Sequence, residues 1–154
     1  MAETSAASSS RTDAVRELEA EFGELITRFQ RVISEIANRV SPGLLPGAYK
    51  VFTTIARRDG VTLSTLADHL MMDKGQLSRT IRELESLGLI SRAPDPADGR
   101  SSLLSATAEG RGRLEAARAP QQGLLLDAIV DWPLDDIHAL TRLLHALGES
   151  VTRR

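Results

Sequence analysis

The chain has 154 residues, which is enough for one domain with a hydrophobic core and too few for two large ones. Aromatic residues make up 3% and cysteine is absent, which excludes an aromatic platform for single-stranded nucleic acid, disulfides and cysteine zinc sites. The net charge is −2, but residues 74–113 hold seven Lys/Arg against five Asp/Glu and so form a net-basic segment.

The start of the chain has no targeting pattern. Residues 1–10, MAETSAASSS, lack the basic start and the apolar stretch of a secretion signal. No apolar run reaches the roughly 18 residues that a membrane helix needs. We therefore expect a cytoplasmic protein without membrane contact, in which residues 1–12 form a disordered polar tail.

Residues 13–40 are predicted to form one long helix, because their apolar residues recur at steps of three and four. These residues are Leu18, Phe22, Leu25, Phe29, Val32 and Ile36. A small globule cannot bury so broad a stripe on so long a helix, so we expect it to pack against a second subunit. A core helix in a monomeric bundle is the alternative.

Two short helices joined by a tight turn are predicted in the middle of the chain. The Pro/Gly-rich segment 41–47 ends the long helix, and a second helix follows and ends at Gly60. Thr62 is a good N-cap for the first helix of the short pair. Asp73 is a good N-cap for the second, which stops at Gly88. This order predicts a helix-turn-helix.

A β-hairpin is predicted directly after the pair, from the β-compatible runs 89–92 and 101–106. Between them, the dipeptide Asp98-Gly99 predicts a tight turn in which Gly99 adopts a positive φ. Arg100 follows the turn and gives its tip a positive charge.

Two further helices are predicted after the hairpin. Thr107 is placed to cap a helix from residue 108 to about 129. Pro133 suits the start of the last helix. The apolar residues of the last helix again recur at steps of three and four, and they are Ile137, Leu140, Leu144, Leu147 and Val151.

The second helix of the short pair has a polar face opposite its apolar one. At about 100° per residue, its inward residues are Leu77, Ile81 and Leu84. Gln76, Arg79 and Arg82 then point outward, and these residue types make bidentate hydrogen bonds with adenine or guanine. Ser78 can approach a phosphate. Glu83 would repel phosphate unless it is paired, and an ordinary solvated helix face uses the same residue types.

The segments DKGQLSRTIRELESLGLI (73–90) and ADGRSSLLSATAEG (97–110) resemble the winged-helix segment of the MarR family of bacterial transcription regulators. The resemblance extends over residues 13–152. It implies a mainly α fold with a small β-hairpin, in which residues 44–106 form a winged helix-turn-helix lobe that binds DNA. Residues 13–40 and 108–152 would form a helical dimerisation lobe.

The resemblance also implies a function. The protein would be a homodimer that binds a palindromic operator in double-stranded DNA, as a repressor that a small, commonly aromatic or phenolic, ligand releases. Arg100 would enter the minor groove, and Asp98 would brace the wing. The recognition-helix contacts carried over by position are Gln76, Ser78, Arg79 and Arg82.

The role of Asp98 stays open at this point. An Asx-turn residue before Gly99 is an alternative to a salt-bridged brace, and the two are compatible. Arg92, at the base of the first strand, is a candidate ionic partner for Asp98.

Metal binding and catalysis are not expected. His138 and His145 share a face of the last helix, but their spacing does not provide the three or four converging ligands of a zinc site. The chain has no phosphate-binding glycine loop and no nucleophile elbow. We therefore predict neither a cofactor nor an enzyme. The alternative to a DNA-binding regulator is a helical dimeric protein-interaction module that does not bind DNA.

Overall fold

The computed structural model describes residues 2–99 and 101–152, and it has the mainly helical fold with a small antiparallel sheet that the sequence predicts. In chain order the elements are α1 (Ala2–Val40), α2 (Pro46–Arg58), β1 (Val61–Thr62), α3 (Leu63–Leu70), α4 (Lys74–Ser86), β2 (Ile90–Pro94), β3 (Ser102–Ala106), α5 (Ala108–Arg118), α6 (Leu124–Ala128) and α7 (Leu134–Thr152). The chain divides into two units, one that ends at Ala117 and one that begins at Arg118. Within the described ranges, no helix combines the length and apolarity needed to cross a membrane.

The core of the first unit is formed where α2, α3 and α4 pack against the sheet. Its largest fully buried side chains are Val51, Phe52, Ile55, Leu66, Leu77, Ile81, Leu84, Leu89 and Leu104. Burial of one such side chain contributes about 1.5–3 kcal/mol, so these contacts dominate the packing of the unit. The inward face predicted for α4, with Leu77, Ile81 and Leu84, is buried.

The sheet has three strands in the order β1-β3-β2, all antiparallel. The predicted hairpin is its larger part, with a register that runs from Ile90 opposite Ala106 to Pro94 opposite Ser102. The sequence analysis missed β1, because two residues are too few to show a period-two pattern. Val61 of β1 lies opposite Leu104, so the hairpin is joined to the start of α3.

Helix α1 begins at Ala2, whereas the sequence analysis predicts a disordered tail over residues 1–12. Residues 2–12 include three Ala and four Ser and no Gly or Pro, a composition that a helix tolerates. Extending an existing helix adds one backbone hydrogen bond for each residue that is ordered, without a new nucleation cost. The tail prediction therefore differs from the structure over residues 2–12.

The helix predicted from 108 to about 129 is wrong in length. Helix α5 ends at Arg118 and a short 3-10 segment, Ala119–Gln121, follows it. Pro120 lacks the N–H that a continuing α-helix would use, and Gly123 has a φ of 94°, which places it in the left-handed region. These two residues split the predicted helix into α5 and α6.

Helix α5 starts in close contact with the segment that links α4 to β2. Thr107 caps α5 as predicted, because its Oγ1 accepts a hydrogen bond from the Gly110 N–H at 2.8 Å. The same hydroxyl donates to the Gly88 carbonyl at 2.6 Å. A Cβ on Gly110 would overlap the carbonyl oxygen of Leu89 and lie 2.9 Å from its carbonyl carbon. Glycine at this position therefore allows the first turn of α5 to pack on the backbone of Leu89.

We expect Gly110→Ala to lower the free energy of unfolding by about 1–3 kcal/mol, because α5 must move away from Leu89 to make room for the methyl group. Gly112→Ala is the matched control, since nothing lies within 4 Å of its added Cβ. That control should raise the free energy of unfolding by about 0.5–1 kcal/mol through helix propensity. Urea denaturation followed by circular dichroism measures both, and equal effects of the two substitutions would contradict the packing argument.

Candidate nucleic-acid interface

Asp73 sets the start of α4. Its Oδ1 accepts a hydrogen bond from the Gln76 N–H at 3.0 Å, so the predicted N-cap is confirmed. The chain reaches this cap through Met71, whose φ of 52° turns it out of α3. Thr62 caps α3 in the same way, with its Oγ1 accepting from the Thr65 N–H at 3.2 Å. The two capped helices and the turn between them form the predicted helix-turn-helix.

The buried side of α4 determines which residues face outward. Leu77, Ile81 and Leu84 have no exposed surface. The outward residues follow from this: Gln76, Arg79 and Arg82 are exposed, Ser78 is half-buried, and Glu83 is exposed. The structure therefore brings the four recognition-helix candidates onto or beside one open helix face. Arg82 lies along this face, with its Nε donating to the Ser78 carbonyl at 3.3 Å.

The tip of the hairpin is a loop of residues 95–101 rather than a two-residue turn. The Asp95 N–H donates to the Ser101 carbonyl at 3.1 Å, and the Ser101 N–H donates to the Asp98 carbonyl at 2.8 Å. Asp95 makes an Asx-type bond in this loop, because its Oδ1 accepts from the Ala97 N–H at 2.9 Å. The sequence analysis considered this role for Asp98 and did not consider Asp95.

The prediction of a positive φ at Gly99 is wrong. Positive φ values among the described glycines occur at Gly43, Gly60, Gly88 and Gly123. A type I turn closed between the Asp98 carbonyl and the Ser101 N–H does not require a positive φ at its first central residue, Gly99. The longer loop thus removes the need for a left-handed residue, which a two-residue hairpin would have imposed. Arg100 lies outside the described residues.

The base of the hairpin is tied to α4 by an ion pair. Arg92 on β2 donates from Nε to Oε1 of Glu85 at 3.1 Å and from Nη2 to Oε2 at 3.1 Å. Arg92 therefore pairs with Glu85, whereas the sequence analysis offered it as a partner for Asp98. The hydrogen bonds that Arg92 donates to Glu85 raise the pKa of Arg92 and the carboxylate charge adds to this, while partial desolvation acts against it. The guanidinium therefore keeps its positive charge in the pair.

Sequence reasoning did not single out Glu85. A glutamate on the outer part of a helix has no pattern that distinguishes a paired carboxylate from a solvated one. To predict the pairing of Glu85, one would have to know that β2 runs back beside the last turns of α4. That arrangement depends on Gly88, whose φ of 70° redirects the chain after the helix.

The histidines do not form a metal site in the part of the chain that the structure describes. No group of three His, Asp or Glu side chains converges among these residues. His69 lies 3.0 Å from Nη2 of Arg58 through its Nδ1. Arginine can only donate, so this nitrogen accepts in the contact.

The capped α3–α4 pair, followed directly by a hairpin tied to α4, defines a winged helix-turn-helix protein. A sequence model of the MarR family matches residues 43–101. The resemblance of the sequence to the MarR family is confirmed over this segment.

Full-length relatives agree with this assignment. The uncharacterized HTH-type transcriptional regulator YdgJ of Bacillus subtilis is 22% identical over 134 residues, which cover 86% of this chain and 82% of YdgJ. FabT of Streptococcus pneumoniae, solved in complex with DNA, aligns with a TM-score of 0.78 at 19% identity, over 90% of this chain and 97% of FabT. A mutant of MarR from E. coli, complexed with operator DNA, aligns with a TM-score of 0.61 at 26% identity, over 82% of this chain and 93% of that one.

These similarities define the functional class. The family consists of transcriptional regulators rather than enzymes. The prediction of a DNA-binding transcription regulator is confirmed at the level of the class, and so is the prediction that the chain is not an enzyme.

Proposed function

We propose that the chain is a homodimeric cytoplasmic repressor that binds a palindromic operator in double-stranded DNA and is released by a small aromatic or phenolic ligand. The observation that carries the proposal is the open polar face of α4, which stands on a capped helix directly before the hairpin. The operator half-sites would lie about one helical turn, ~34–36 Å, apart.

Helix α4 is the element proposed to enter the major groove. An α-helix fits this groove, and its base edges are read by bidentate side chains. Gln76, Arg79 and Arg82 are exposed for this purpose, and each projects from a helix whose other side is locked in the core. Ser78 is half-buried beside them and would contact a phosphate rather than a base edge.

The wing, defined as β2, β3 and the loop 95–101, is proposed to lie along the adjacent minor groove. Arg100 would enter that groove, because a narrow minor groove concentrates negative potential and favours arginine. Asp98 would help to hold the loop in shape. Its carbonyl closes the turn by accepting from the Ser101 N–H, which supports a structural role at the tip.

The terminal helices are proposed to form the dimerisation lobe, from residues 13–40 and 108–152. Large apolar side chains are exposed on them in both units, and Leu125 is 70% exposed. On α1 these residues include Leu18, Leu25, Ile26 and Phe29, and on α7 they include Leu140, Leu143, Leu144 and Leu147. Monomeric proteins rarely expose so much contiguous apolar surface. A second copy of the chain is the partner that we propose for these stripes.

A groove between α1 and α2 is the proposed site of the small ligand. Its volume is about 560 Å³, within the range of small-molecule sites. Ile33, Pro46 and Tyr49 supply apolar and aromatic surface, while Gln30 and Lys50 supply polar groups. An aromatic ring with a carboxylate or phenolate fits this lining, because the Lys50 ammonium can pair with the anion.

The first test is selection of DNA duplexes from a random pool with the full chain, followed by binding titrations. Arg79→Ala should weaken binding to the selected site by about 1–3 kcal/mol and relax base preference at one position in each half-site. Arg100→Ala should reduce the slope of log affinity against log salt by about one. Arg16→Ala, which removes the same charge from exposed α1, should change neither. No enriched site would contradict the proposal and favour the protein-interaction module.

The second test is the oligomeric state in sedimentation experiments. Leu144→Glu should convert a dimer into a monomer, because a carboxylate would be buried without a partner in the proposed interface. Arg142→Glu introduces the same group on the opposite side of α7 and should leave the dimer intact. A wild-type chain that sediments as a monomer at micromolar concentration would rule out the dimer.

The third test is thermal stabilisation by a panel of hydroxylated benzoates. A ligand at about one hundred times its Kd should stabilise the protein by about 2.7 kcal/mol. Lys50→Met should abolish this stabilisation, since the anion loses its partner. Lys74→Met, on α4, should retain it. Stabilisation that survives Lys50→Met would place the ligand elsewhere, and a panel without any stabilising compound would argue against a ligand of this class.

A further inference from the structure

We propose that Glu85 and Arg92 form a wing brace, a pair of positioning residues that sets the angle between the recognition helix α4 and the wing. The inference rests on the proposed function, because it concerns how the two DNA-binding elements are held for a common target. Neither residue needs to touch DNA for this role. Arg92 therefore has a structural role in this proposal and does not bind DNA, although it belongs to the net-basic segment 74–113.

The geometry of the pair supports a fixed orientation. Both Glu85 oxygens accept from Arg92, one from Nε and one from Nη2, at 3.1 Å each. A bidentate arginine–carboxylate pair restricts direction as well as distance. The side chains are 42% and 28% exposed for Arg92 and Glu85, so water screens the pair only in part. Most surface ion pairs lack this combination and contribute little.

The position of the pair on β2 allows it to influence the direction of the wing. Ile90 is buried, but the rest of β2, Ser91–Pro94, is exposed, so apolar packing holds only the first residue of the strand. Arg92 lies beyond that anchor, toward the loop. On its other side a cavity of about 240 Å³ separates Arg92 from Leu63 and Ser64 at the start of α3. Buried Leu104 and the pairing with β1 hold β3 in the core. For β2 beyond Ile90, the ion pair with Glu85 is a direct side-chain link to α4.

The pair also differs from the ion pairs that lie within single helices of the described residues. Arg16–Asp13, Arg39–Glu35 and Arg113–Glu109 each lie within one helix, at spacings of three or four. Such pairs support a helix but cannot orient two elements. Arg92–Glu85 joins a strand to a helix, and both elements belong to the proposed DNA-binding surface.

The experiment compares two glutamates of α4 in the full chain, with the duplex obtained by selection. Simple electrostatics predicts that removal of either carboxylate tightens DNA binding, because the phosphates are less repelled. Glu83→Ala, at an exposed position of the same helix, should follow this rule and bind roughly twofold more tightly. Glu85→Ala should do the opposite and weaken binding roughly threefold to tenfold, because the wing loses its orientation.

Three further measurements separate positioning from direct DNA contact. Arg92→Ala should weaken DNA binding as much as Glu85→Ala does. The double variant should bind DNA no more weakly than either single variant. The slope of log affinity against log salt should stay unchanged, since no phosphate contact is lost. Arg92→Lys should recover little, because lysine keeps the charge but not the bidentate geometry. Arg100→Ala should cost less affinity in the Glu85→Ala background than in the wild type, since the wing is already displaced.

The outcomes are distinguishable. If Glu85→Ala tightens binding as Glu83→Ala does, or if the effects of Glu85→Ala and Arg92→Ala add, the brace is wrong while the proposed function stands. If Arg92→Ala lowers the salt slope by about one and Arg92→Lys restores it, Arg92 contacts phosphate and the brace is also wrong. If the wild-type chain enriches no duplex, the proposed function fails first. Thermal melts of each variant confirm that the compared proteins are folded.

Discussion

Burial of one side of α4 is the constraint on which the rest of the site depends. Leu77, Ile81 and Leu84 are fully enclosed, so the helix cannot rotate without exposing apolar surface and opening cavities in the core. The outward direction of Arg79 is a consequence of that packing and not of any contact that the arginine makes. The Asp73 cap fixes the residue at which α4 starts, and this sets how far the first turn of α4 extends from the core.

The site also depends on Leu89, because α4, the wing and α5 meet at this residue. The fully buried Leu89 side chain belongs to the core, while its backbone carbonyl accepts from the Thr107 N–H and faces Gly110. The end of α4, the base of the wing and the start of α5 are thus joined within a few residues. A change in the direction of α5 would be transmitted to the wing through this junction, because close-packed interiors have little room to absorb a displacement.

In the winged helix-turn-helix, the pairing of charged side chains matters more than their net charge. The chain carries a net charge of −2, yet at about 0.1 M salt a surface charge acts over only ~10 Å, so local arrangement matters more than the total. Glu85 is neutralised by Arg92, and Asp59 at the end of α2 by Arg111 at 2.6 Å. These two carboxylates are therefore partnered, whereas Glu83 is exposed on α4 together with Gln76, Arg79 and Arg82.

The elements whose causes are local could be predicted from the sequence. The Thr62 and Asp73 caps, the hairpin and the buried and open faces of α4 follow from residue spacing and capping chemistry, which act within a few positions. The long wing loop, the two-residue strand β1 and the division of the predicted 108–129 helix needed the structure, as did the Glu85–Arg92 pair. Each of these depends on contacts between segments far apart in the chain or on small energy differences between competing turns. Neither of these two causes leaves a periodic signal in a single sequence.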